Sequence, residues 1–323
     1  MLGAGLFVGI AIVAVGTQVG RGNLSQVLDV LGGVQPGWVL LAGVGFGVAL
    51  LCSAAAWGVG LRACGGRAGF TQVAARCAIG SLVNSVAPAH LGGAVRVGLL
   101  SRTLPGEDPV WRTCGVGAAV AVARAVALAL LVLGAAAVGR IALWPAPLLL
   151  VCMVGVTAVC VQLSKRVAGH VGSLLQTFRN QVRSPRKGLD LFAWIACSFA
   201  ARLAATIAVV AAFGIPHPFS VAVVLLAAIA LAGVLPLTPG NIGAGAGAAT
   251  LALHGTGVGV DVALALGIAF QAIETCTGMM LGVAGAAVVS APGTRMRRWS
   301  VAMAGAAAVL VAASVGIASV DLV

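Results

Sequence analysis

Apolar runs of 18 residues or more recur along this sequence from residue 2 to residue 320. That is the length a helix needs to cross the hydrocarbon core of a bilayer. Of the 323 residues, 61% are hydrophobic and 8% charged, against about 25% charged in an ordinary soluble domain. A water-soluble fold could not hide so much apolar surface. The expectation is an all-α, polytopic membrane protein, a single transmembrane domain over residues 1–323.

Continuous spans read as 2–19, 37–60, 110–138, 142–163, 189–213, 258–289 and 299–320, about seven in all. The first has no basic leader and no clear cleavage site, so it reads as a retained span. Two further apolar regions, 72–103 and 219–256, carry helix breakers at their centres: Pro88, Gly92 and Gly93 in one, Pro236, Pro239 and Gly240 in the other.

Charge placement tests how these regions sit. The basic residues behind the net charge of +12 cluster in two places, 164–188 and 294–299, and the parity test takes loops 61–71 (Arg62, Arg67), 164–188 and 291–298 together. Basic loops beside spans belong on the cytoplasmic side, where they also meet anionic lipid heads; a nucleic-acid partner is not implied. With all three loops cytoplasmic, the N-terminus is cytoplasmic and the protein sits in the cell membrane. Parity then closes only if 72–103 enters and leaves on one face and 219–256 does the same from the other. The competing reading has both regions span as kinked helices, giving nine spans. Irregular backbone at membrane depth needs protein or a water-filled cavity around it, and paired broken helices are how many transporters build a midplane site.

Three ionisable residues fall near the centres of spans: Arg124, Arg202 and Glu274. Each costs on the order of 2.5–3.5 kcal/mol at mid-depth, so each should face the bundle interior. An Arg–Glu pair locking two helices is one reading. The other starts from the count: one carboxylate does not neutralise two guanidinium groups, and the excess suits a phosphate gripped at two points. Gln271 lies one turn before Glu274 and is placed to hold its carboxylate or a headgroup.

In the first broken region Asn84 either caps carbonyls freed by Pro88 or binds a ligand. Arg96 either snorkels to the cytoplasmic face or meets phosphate. His90 either titrates or fills space. In the second, Thr238 and Asn241 either line the tip or satisfy backbone groups. "GAGAGAA", 243–249, suits close helix packing; without a preceding strand it is no nucleotide site.

The eight cysteines are scattered, without metal spacing. The seven acidic residues form no metal-diphosphate motif, and no nucleophile–base set is visible. The expectation is a non-enzyme without cofactor or metal.

Both broken regions resemble the family of the lysylphosphatidylglycerol synthase transmembrane region, also called flippase-like membrane proteins. Its first motif runs Asn-x-x-x-Pro-x-Arg-x-Gly-Glu-x-x-Arg. Asn84, Pro88, Gly92 and Arg96 match, with His90 for the Arg and Gly93 for the Glu. Its second runs Pro-x-Ser/Thr-Pro-Gly-Gly-x-Gly-x-x-Glu. Pro236, Thr238, Pro239, Gly240 and Gly243 match, with Asn241 for the second Gly and Ala246 for the Glu. The resemblance implies movement of amphiphilic lipids between leaflets, or service to envelope lipid and glycan synthesis. Expected partners are a phospholipid or lipid-linked substrate, an envelope-synthesis enzyme, and a second copy of the chain. In bifunctional members a soluble aminoacyl-transferase domain follows. No segment of that size occurs in these 323 residues, so lysyl transfer is not expected of them. The alternative to a flippase is a non-catalytic membrane partner of an envelope enzyme.

Overall fold

The computed structural model describes residues 34–86, 91–137, 185–232, 242–253 and 257–290. Among them the chain is all helix and turn. The helices are α1 (Pro36–Ala63), α2 (Phe70–Val86), α3 (Leu91–Ser101), α4 (Pro109–Ala137), α5 (Pro185–Ala212), α6 (Pro218–Ala232), α7 (Ile242–Leu253) and α8 (Val260–Val289). α1, α4, α5 and α6 begin on proline, whose fixed φ suits the first turn, where its missing N–H is not needed.

Among the described residues four helical stretches are long and apolar enough to cross a membrane: Pro36–Ala63, Pro109–Leu131, Arg186–Ala212 and Val260–Val289. They correspond to the expected spans 37–60, 110–138, 189–213 and 258–289. The expected spans 2–19, 142–163 and 299–320 lie outside the described residues.

Where the sequence is punctuated, the structure has pairs of short helices. α2 and α3 have 17 and 11 residues, α6 and α7 15 and 12. α2 and α3 run antiparallel, because Gly80 lies against both Gly92 and Arg96 while Asn84 lies against Gly92. α6 and α7 also pack on each other.

The first pair starts and ends at one end of the bundle. α1 stops there with the Gly65 N–H on the Arg62 carbonyl and the Gly66 N–H on the Leu61 carbonyl. Gly65 takes the positive φ of 83° that this stop demands and that a side chain resists. From the start of α4, Arg112 donates to the Cys64 carbonyl before the pair and to the Pro105 carbonyl after it. At the opposite end, Gln35 ahead of α1 bonds Ala212 at the end of α5.

α8 is the common support. Its C-terminal half carries α2, with Gly285 against Ala75 and Gly282 against Ala78 and Leu82. Its N-terminal half carries α7, with Gly267 against Ala246 and Ala249. Glycines let the backbones approach this closely where lipid supplies no hydrophobic drive. Both helices run antiparallel to α8, so the end of α2 and the start of α7 converge toward its middle.

Among the described residues two large apolar cores result, beside a small contact of Leu128 with Ala227. One joins Phe46 of α1 to Val209 of α5, Leu225 of α6, Leu253 of α7 and Phe270 of α8. The other joins Trp57 of α1 to Val73 of α2, Leu100 of α3, Val120 of α4 and Ile195 of α5. α1 and α5, the most closely packed helices, run through both.

Candidate functional site

The charged residues sit where the two cores meet. From α5, Arg202 Nη1 lies 2.7 Å from Glu274 Oε1 on α8, and Nη2 donates to Oε2 at 2.9 Å. The guanidinium carbon lies 5.6 Å from the centre of the Phe270 ring. Phe270 is fully buried and meets Phe46 edge-on at 5.0 Å. Arg202 therefore points into the bundle, as a charge at mid-span must.

Arg124 of α4 donates to the Ser53 hydroxyl of α1. Arg96 of α3 donates through Nη2 to the Ser81 hydroxyl of α2 at 3.1 Å. Among the described residues neither meets a carboxylate. Arg124 nonetheless lies within electrostatic range of Arg96, Arg202 and Glu274. Three guanidinium groups and one carboxylate thus form a single cluster, drawn from α3, α4, α5 and α8. Arg202 and Glu274 realise the helix-locking pair; Arg96 and Arg124 remain as uncompensated cations.

Not every expected site residue joins the cluster. Gln271 is buried, but its amide lies against Gly245 of α7, and no hydrogen bond joins it to Glu274. Asn84 is exposed at the last turn of α2. Pro88, His90, Thr238 and Asn241 lie outside the described residues.

Ser53 and Ser81 enter as arginine partners without a sequence signal beyond a small hydroxyl in an apolar helix. Trp57, one turn after Ser53, is another addition. Its Nε1 and the Nε of Arg96 are buried without a hydrogen-bond partner among the described residues.

The two replacements in the expected motifs differ in their surroundings. Gly93 faces open space, so a longer side chain is not excluded there by packing. Ala246 is buried against Gly267 of α8, where a glutamate would force the helices apart.

Chemically, the cluster offers forked donors and a positive surplus with little competing acceptor, the features that receive phosphate oxygens.

The sequence matches the family described as the lysylphosphatidylglycerol synthase TM region over residues 2–282. The match takes in both short-helix pairs and most of α8. No curated protein matches the chain.

Proposed function

The chain belongs to the family of the lysylphosphatidylglycerol synthase transmembrane region, and from that premise we propose that it binds phosphate-bearing lipids and moves them between leaflets. Membership makes it a multi-pass membrane protein related to lipid synthesis or handling. The surplus of positive charge at the junction of the two cores carries the finer reading.

In this proposal α2–α3 and α6–α7 are half-depth hairpins entering from opposite faces of the cell membrane, alongside about seven spans and with the N-terminus cytoplasmic. Supporting it are the antiparallel packing of α2 on α3, the positions of α2 and α7 on opposite halves of α8, and the fastening of both ends of the first pair by Arg112. A headgroup slides past the hairpin tips while its acyl chains stay in lipid. Arg96 and Arg124 take the phosphate. Arg202 and Glu274 hold α5 to α8 and set the charge balance. No nucleotide motif is visible in the sequence, so movement is downhill or coupled to a gradient.

Reconstitution into liposomes with labelled phosphatidylglycerol tests this. The wild-type chain should raise the flip rate, and Arg124→Gln should abolish the increase while keeping the thermal midpoint. Unchanged rates for several phosphate lipids would count against transport. Unchanged rates with stable capture of an envelope glycosyltransferase or synthase would favour the non-catalytic partner instead.

A further inference from the structure

The charged cluster divides into two unequal halves. In one, Arg202 and Glu274 cancel each other. In the other, among the described residues, Arg96 and Arg124 each reach a serine hydroxyl and no carboxylate. A guanidinium carries five N–H donors, so a single hydroxyl leaves most of each fork to be filled.

Two buried donors on these helices have no acceptor among the described residues: Arg96 Nε and Trp57 Nε1. Trp57 is 6% exposed and packs in one cluster with Cys77. The Cys77 thiol lies within electrostatic range of both Arg96 and Arg124. The wall built from α1, α2, α3 and α4 is therefore rich in donors and holds no negative charge among the described residues. A buried N–H without an acceptor is rare in native structures and asks for an explanation.

Resting on the lipid-handling reading above, we infer that this half selects a doubly negative phosphate head, a phosphomonoester or a terminal diphosphate, over the singly charged phosphodiester of common glycerophospholipids. The charge balance argues for it. Three guanidinium groups against one carboxylate leave two positive charges. A dianion brings the cluster to neutrality; a phosphodiester leaves one charge uncompensated where water is scarce, and a zwitterionic head leaves both. Donor geometry agrees. A terminal phosphate presents three oxygens to forks arriving from two helices, where a phosphodiester presents two non-bridging oxygens.

The test titrates the purified full-length chain in nanodiscs with phosphatidate, phosphatidylglycerol, phosphatidylcholine and inorganic phosphate, read by tryptophan fluorescence and by thermal midpoint. Phosphatidate should bind about tenfold more tightly than phosphatidylglycerol at about pH 8, one charge-assisted hydrogen bond's worth. In the unmutated chain the preference should shrink toward pH 5, as the second phosphate proton returns near pH 6. Arg124→Gln should erase the preference, and Trp57→Phe, which also lowers the midpoint of the lipid-free chain by opening a cavity, should weaken phosphatidate several-fold more than phosphatidylglycerol. Equal or tighter binding of phosphatidylglycerol overturns the inference and leaves the lipid reading standing. Absence of binding by every phosphate lipid overturns both. Inorganic phosphate binding as tightly as phosphatidate keeps the dianion preference and overturns a lipid as its source.

Discussion

Arg202 grips Glu274 at two points, 2.7 and 2.9 Å, across the α5–α8 contact. The side chains are 32% and 27% exposed, between the surface pairs worth about 0–1 kcal/mol and the buried ones whose rupture costs about 3–5 kcal/mol. Glu274→Gln should therefore lower unfolding stability by on the order of 2 kcal/mol, chiefly by leaving Arg202 uncompensated. Pairing Arg202→Met with Glu274→Leu should recover most of that loss, since no stranded charge remains. Denaturant titration of the three proteins in detergent checks this; failure of the double variant to recover would mean that the pair does more than balance charge.

Close backbone approach between α2 and α8 gives a second prediction. A Cβ at Gly285 would sit 2.5 Å from the Ala75 carbonyl oxygen, which cannot swing aside. Gly285→Ala should cost about 1–3 kcal/mol through overpacking. On α7, Gly247 meets nothing within 4 Å, so Gly247→Ala should be neutral or gain up to about 1 kcal/mol from helix propensity. The thermal midpoint should fall for Gly285→Ala and hold or rise for Gly247→Ala.

Much of the architecture could be read because the bilayer makes polarity expensive. Arg124, Arg202 and Glu274 stand out in apolar runs, and an isolated charge there must turn inward. The turn-back between α2 and α3 was legible for a related reason: proline and glycine interrupt an otherwise continuous apolar run, while the matching cluster at 236–240 lies outside the described residues. Choice of partner was not legible. Whether Glu274 takes Arg202 or Arg124 depends on helix order around the bundle, which apolar surfaces of nearly uniform Ala, Val and Leu do not encode. Ser53 and Ser81 escaped notice because serine is common in membrane helices. Gln271 illustrates the same limit: its spacing puts it one turn from Glu274, yet only the placement of α7 reveals that Gly245 lies opposite.

That contact predicts a coupling. A Cβ at Gly245 would collide with the Gln271 amide, with Gln271 Cδ only 3.2 Å away. Gly245→Ala alone should destabilise the chain by about 1–3 kcal/mol. Combined with Gln271→Ala, which opens the space, the loss should fall below the sum of the single losses by about 0.5–3 kcal/mol. A double-mutant cycle by denaturant unfolding measures it; strict additivity would mean that the α7–α8 contact relaxes freely.

Arg112 supplies the last prediction, because it ties the chain before α2 to the chain after α3. It donates to Pro105 at 2.9 Å and also to the Cys64 carbonyl, so both ends of the α2–α3 pair belong to one face of the bundle. Ala68→Cys and Glu107→Cys, each placed in a cysteine-free chain, should therefore react with an impermeant maleimide from the same side of oriented vesicles. Pro216→Cys and Val260→Cys, which flank α6 and α7, should react together from the opposite side. Arg112→Ala loses two hydrogen bonds to backbone carbonyls, worth about 1.5–3 kcal/mol each when one partner is charged, and should speed proteolysis of the 102–108 turn while leaving the sidedness of labelling unchanged. Reaction of positions 68 and 107 from opposite sides would mean that α2–α3 crosses the bilayer. The hairpin reading would then fail, and with it the reason for placing Arg96 and Arg124 at mid-depth beside a lipid phosphate.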